Sequence, residues 1–277
     1  MCAKKSFDHK RLATAAIVIA AAIAVVGTIL LVKGAHDKSV KKIIKQKPII
    51  GLITIIIDDW GYNANVLSFL ETIKTPFAAA VLPKLPYSKI LAQIANANDK
   101  EVMLHLPLEP HKTSERYPKD YIITSSMNAK KVQKLIDECL VTVPFAQGVN
   151  NHMGSKATET KTFMKTIFGY LKTKKFFFVD SYVTEKSICA SLAKSMDFPI
   201  IKRDVFFDNV MTRAAIEYQF HRLAKLARTR GYAVGIGHAR TLTLQILQEQ
   251  SKVLTEQGFQ FVTVKDMIRY QQTLGER

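Results

Sequence analysis

From Ile49 onward, short apolar runs rich in β-branched and aromatic residues alternate with stretches of helical periodicity, and no other feature of the sequence constrains the fold as tightly. The runs are IIGLITIIID ending at Asp58, FAAAVLP from Phe77, EVMLHLPL from Glu101, GVNNHM from Gly148, KFFFVDS from Lys175, PIIKRDVFFD from Pro199, YAVGIGHA from Tyr232 and FQFVTV from Phe259. They predict about eight strands. Helices are predicted between them over 63–74, 87–98, 128–143, 158–173, 184–196, 212–230 and 242–257, with Asn63, Asn128, Thr158 and Thr184 placed as N-caps. Strands that are apolar almost throughout belong to a parallel sheet covered on both faces, and so many strand–helix units favour a barrel over an open sheet. The expected fold class is α/β, a distorted (β/α) barrel of about seven to eight strands over 49–277.

The residues before this pattern read as an address. LATAAIVIAAAIAVVGTILLV, 12–32, carries no charge and is long enough to cross a hydrocarbon core of about 30 Å as one helix. It exceeds the apolar core of a cleaved signal peptide, and no convincing cleavage site follows. The expected organisation is a basic cytoplasmic tail over 1–11, a transmembrane signal anchor over 12–32, a Lys-rich linker over 33–48 and the barrel. The chain is expected in the inner membrane as a single-pass protein with the domain facing the periplasm or cell exterior, an orientation that the basic residues on both sides of the run do not by themselves give. Of the 40 Lys and Arg that outweigh 23 Asp and Glu, ten precede Pro48 against only Asp8 and Asp37. Charge concentrated around an apolar run reads as lipid headgroup contact rather than a nucleic-acid footprint, and no nucleic-acid motif accompanies it. Cys2, Cys139 and Cys189 show neither CxxC nor zinc-finger spacing, so no thiolate metal site is indicated.

Polar residues collect at the predicted C-terminal ends of the strands, the end at which parallel α/β folds carry their chemistry. They are Asp58 and Asp59 in IIIDDWG, His105 in MLHLPLEP, His152 in VNNHMGS, Asp180 in FVDS, Asp204 and Asp208 in RDVFFDN, and His238 in GIGHA. Each alone suits a turn or a helix cap, but three imidazoles and several carboxylates converging on one end form the ligand set of a hydrolytic metal site. If the strand stays extended, Asp58 and Asp59 point to opposite faces, one binding an ion and the other approaching a water. Gly235 and Gly237 would admit substrate closely. Trp60 and Tyr62 could stack on a sugar ring or pack under a helix.

In their order, DDWG, LPxxP, HLPLEP, GVNNHMGS, FFVDS, RDVFFDN and GIGHA resemble the divergent polysaccharide deacetylases, over roughly Ile49 to Met267. That family is similar to the NodB-type carbohydrate esterases. The resemblance implies a NodB-like barrel, Zn²⁺ or another divalent metal, and hydrolytic removal of acetyl groups from an envelope polysaccharide or oligosaccharide. It maps the catalytic base onto Asp58, a metal ligand onto Asp59 and the proton donor to the leaving group onto His238, with Asp180 and Asp204 orienting these groups. The esterase H-x-x-x-H pair meets His105 and Glu109, so the second histidine is replaced; an extended HLPLE would separate these two by about 13 Å. His152 is the expected third ligand, Glu109 being the alternative if Pro107 and Pro110 turn the chain, with Glu109, Asn151 and Asp208 otherwise assigned to substrate. The alternative is a glycan-binding or scaffold protein of the envelope that keeps the barrel without turnover.

Overall fold

The computed structural model describes residue 28 and residues 48–112 and 118–275. Its compact unit spans Pro48–Arg277. The strands are β1 (Gly51–Trp60), β2 (Ala78–Val81), β3 (Glu101–Leu108), β4 (Gly148–Met153), β5 (Phe177–Asp180), β6 (Ile200–Lys202), β7 (Val205–Phe206), β8 (Tyr232–His238) and β9 (Phe259–Phe261). The helices are α1 (Leu67–Thr72), α2 (Ser88–Ala97), α3 (Ala129–Thr142), α4 (Lys161–Thr173), α5 (Cys189–Met196), α6 (Arg213–Arg230), α7 (Thr241–Glu256) and α8 (Val264–Gly275). Among the described residues no helix is long and apolar enough to cross a membrane. The predicted span over 12–32 lies outside them, Thr28 apart.

All strand pairs are parallel, in the order β6-β5-β4-β3-β2-β1-β8-β7, with β9 added along the first residues of β1. The sheet curls into a half-barrel that hydrogen bonds do not close. The run from Pro199, expected as one strand, is two: β6 lies on one edge of the sheet and β7 on the other. The chain itself steps across the gap, Arg203 N–H donating to Asp180 O and Asp204 N–H to Val234 O.

Alternation along the strands sorts side chains into two cores. Ile53, Ile55 and Ile57 of β1 pack outward in the helix-covered cluster. Ile56, Ala78, Met103, Val179, Val234 and Ile236 belong to a separate interior cluster. Val264, Met267 and Ile268 of α8 join that interior cluster, and the buried Glu101 carboxylate accepts from the Val264 and Lys265 N–H groups at the start of α8. This C-terminal helix was not anticipated: FQFVTV reads as a strand through Val264, whereas pairing stops at Phe261. Asn128 and Thr212 cap α3 and α6 through their side chains. Asn63 and Thr184 instead accept from the N–H groups of Asn65 and Lys186 in tight local turns, so their helices begin later, at Leu67 and Cys189.

Candidate metal centre

On four strands the interior parity passes from an apolar or small residue to a polar one at the C-terminal end. Ile56 is followed by Asp58 on β1, Met103 by His105 on β3, Gly148 by Asn150 and His152 on β4, and Ile236 by His238 on β8. The parallel register sets these ends side by side: Asp58 opposes His238, His105 opposes Asn150, and Pro107 opposes His152.

Asp58 and Asp59 do not point to opposite faces. Asp59 has φ 63°, and the β1–β2 register shifts between Ile57 and Trp60. Asp is among the few non-glycine residues that accept this left-handed region, and the resulting bulge turns the second carboxylate to the same end as the first.

Asp59 Oδ1 lies 3.3 Å from His105 Nε2 and 3.3 Å from His152 Nδ1, and these two ring nitrogens are 3.2 Å apart. The three donors form a group able to hold a metal ion. Their separations match the donor–donor edges, about 3.3 Å, of a tetrahedral ion with ligand bonds near 2.0 Å. Asp59 Oδ1 is buried with no hydrogen-bond partner, an acceptor that protein groups leave unsatisfied. Two nitrogens and one carboxylate oxygen fit zinc or a similar divalent ion.

The electrostatics follow from burial and these contacts. Burial pushes the Asp59 carboxyl up, but the His105 and His152 imidazoles beside it outweigh that and hold the group well below the ordinary range. Burial pulls His105 down, yet Asp58 and Asp59 raise it overall. His152 is lowered, chiefly by burial and with a contribution from the charge of His105. Burial raises Asp58.

Asn150 is fully buried, and two-residue periodicity puts it on the same face as His152. Its Nδ2 donates to Asp58 Oδ1 at 2.7 Å, so its Oδ1 faces His105 Nδ1 at 2.8 Å and accepts the proton there. That fixes the His105 tautomer and leaves the Nε2 lone pair toward Asp59 and His152. Asp208 holds His238 in the same manner: Oδ1 lies 2.9 Å from Nδ1, and Oδ2 accepts from His238 N and Thr243 Oγ1. Its carboxylate has no exposure, so the structure places it behind His238 instead of toward substrate.

Other predicted residues stand apart. Glu109 accepts from Ser125 N and Oγ and from Lys156 Nζ, bracing the loop after β3. The Asn151 amide is committed to Met153 O and Ser181 N. Asp180 turns the end of β5, accepting from Tyr182 N and Ser187 Oγ. Asp204 pairs with Arg230 and accepts from Val234 N, near the start of β8 and away from His238 at its end. A Cβ at Gly235 would lie 2.2 Å from the Phe207 ring and one at Gly237 3.0 Å from it, so these glycines make room for Phe207, not for substrate. Trp60 is buried and stacks on Phe77, whereas Tyr62 is exposed. A cleft of about 610 Å³ opens over the triad, lined by Asp59, His152 and His238 together with Tyr62, Asn63 and Arg240.

The chain is 31% identical to protein YibQ of Escherichia coli over 199 residues, 72% of this chain and 62% of that protein, and so spans about three-fifths of the relative's length. Among solved structures it resembles a protein of Agrobacterium tumefaciens, with TM-score 0.73 at 18% identity over 78% of this chain and 89% of that one. It also resembles a family 4 carbohydrate esterase from Streptomyces lividans, solved in complex with acetate, with TM-score 0.50 at 13% identity over 76% and 91% of the two chains. At these identities the structural likeness shows a shared fold. The model of the divergent polysaccharide deacetylases matches residues 55–268, and the chain belongs to that family.

Proposed function

We propose that this protein is a metal-dependent hydrolase that removes acetyl groups from an envelope polysaccharide or oligosaccharide. The observation that carries this reading is the Asp59–His105–His152 triad, with an unsatisfied buried acceptor, beneath a cleft that also presents His238. A divalent ion held by the triad, zinc being the match to its donors, would polarise the acetyl carbonyl and acidify a water. Asp58, whose Oδ1 is taken by Asn150, offers Oδ2 as the proton acceptor. His238 keeps its Nδ1 proton on Asp208 and delivers a proton from Nε2 to the departing amine or alkoxide. Burial lowers His238, but Asp208 and then Asp59 raise it overall, which favours the protonated donor. The uncharged run over 12–32 and the Lys-rich segment after it support an inner-membrane anchor, with the domain on the periplasmic or outer side.

The test is elemental analysis of the detergent-solubilised full chain beside Asp59→Ala and His152→Ala, with acetate release from acetylated glycans. About one zinc per chain, lost in both variants together with acetate release, is the expected result. A folded wild-type chain that takes up no divalent metal and releases no acetate would replace this reading with that of a glycan-binding protein.

A further inference from the structure

Arg240 stands in the cleft two residues beyond His238. Among the described residues it is the cleft's only Lys or Arg, with its side chain 39% exposed. One end of the guanidinium is anchored: Nη1 donates to Asp208 O at 3.3 Å and lies 4.0 Å from Asp208 Oδ2. Asp208 pairs with it only at this longest ion-pair distance, the nearer bonds of that carboxylate going to His238 N, Thr243 Oγ1 and His238 Nδ1. Nε and Nη2 make no hydrogen bond among the described residues. These two groups form the side-on edge of the guanidinium, whose parallel N–H bonds match the two oxygens of a carboxylate. Tyr62, 41% exposed, also lines the cleft.

We propose that Arg240 is the specificity residue of this site and that it selects an acidic glycan, one bearing a carboxylate close to the acetylated sugar position. The inference rests on the deacetylase reading and narrows its substrate class. The carboxylate takes the Nε–Nη2 edge bidentately, while the Nη1 contact to Asp208 O fixes the plane of the guanidinium and keeps the bound group beside His238. A neutral glycan makes no equivalent contact and leaves that edge to water.

The experiment uses the full chain in detergent micelles, loaded with zinc, and two acetylated amino-sugar oligosaccharides that differ only in a carboxylate and its primary amide. Acetate release gives kcat/KM for each, and calorimetry gives the equilibrium affinity for the deacetylated form of each. One charge-assisted bidentate pair corresponds to a preference of about 10- to 100-fold for the carboxylate form, seen mainly in KM. In Arg240→Gln the ratio of the two substrates is expected to fall to about one, and Arg240→Lys to restore only part of it, since an ammonium is a point charge without the fork. A wild-type ratio near one, or a ratio that survives in Arg240→Gln, overturns the proposal. If neither substrate releases acetate, the deacetylase reading fails on its own terms, and the calorimetric ratio alone still decides whether Arg240 reads a carboxylate.

Discussion

Replacing Asn150 separates the two bonds on which the centre is hung. The amide lies between Asp58 Oδ1 at 2.7 Å and His105 Nδ1 at 2.8 Å, with no exposure to solvent. Asn150→Leu removes these two bonds and a longer one to Ser181 Oγ at 3.4 Å, and leaves a buried carboxylate oxygen and a buried imidazole nitrogen unpaired. At about 1–3 kcal/mol for each, the folded state should lose about 2–6 kcal/mol. The proton on His105 is then free to move to Nε2, and loss of such a supporting bond lowers metal affinity about 10- to 100-fold. Asn150→Asp keeps an acceptor for His105 but puts a second carboxylate against Asp58, where the two must share a proton. It should therefore hold zinc far better than Asn150→Leu while losing acetate release. Zinc affinity is read by competition with a chromophoric chelator, and the His105 tautomer by nitrogen-15 NMR of the metal-free protein. Equal zinc affinity in wild type and Asn150→Leu, or a neutral wild-type His105 that carries its single proton at Nε2, would refute the reasoning.

Glu109→Gln tests the brace that stands where the esterase motif has its second histidine. Burial pushes the Glu109 carboxyl up, but bonds from Lys156 and Ser125 outweigh it and depress the group below its ordinary value of 4.5. A depressed carboxylate stabilises the fold above that value and loses the contribution as pH falls through the lower folded value. Wild type should thus melt above Glu109→Gln at neutral pH, the gap closing in acid, and a gap that widens in acid would contradict the assignment; zinc content should stay at the wild-type level. Gly235→Ala would drive a Cβ to 2.2 Å from the Phe207 ring, which is itself stacked on Phe220 at 4.3 Å. Overpacking of this kind costs about 1–3 kcal/mol. The expected fall in melting temperature should be smaller when the same change is made in a Phe207→Leu background, and an equal fall in both backgrounds would show that the ring is not the obstacle.

The strand ends were legible because inward parity is written into the sequence at every second residue: Met103 then His105, Ile236 then His238. What was not legible depends on neighbouring strands. The left-handed turn at Asp59 follows from the broken register against β2, which no local preference of the DDWG stretch announces. The placement of His152 beside His105 depends on β3 lying next to β4, with Pro107 opposite His152. Asn151 and Asn150 are equally polar as sequence, and only the identity of the inward face separates a residue that ties two backbones together from one that holds Asp58 and His105. The C-terminal helix was obscured in the same way: Val264, Met267 and Ile268 have helical spacing, but the first of them also ends a run that reads as a strand.

The pairing of β1 with β8, Leu52 through Asp58 against Tyr232 through His238, joins the beginning of the domain to its last quarter. During synthesis the first strand, apolar on both faces, must remain without this partner until the ribosome has passed residue 238. Contacts of such sequence separation form slowly and expose apolar surface to aggregation while they wait. The order of arrival also grades the assembly of function. Asp59, His105 and His152 are all present once β4 has been made, whereas His238 comes with the strand that completes the curl. Under the proposed mechanism, a partly folded chain could therefore capture its ion before it owns a proton donor, and the capacity to bind metal would mature earlier than the capacity to cleave.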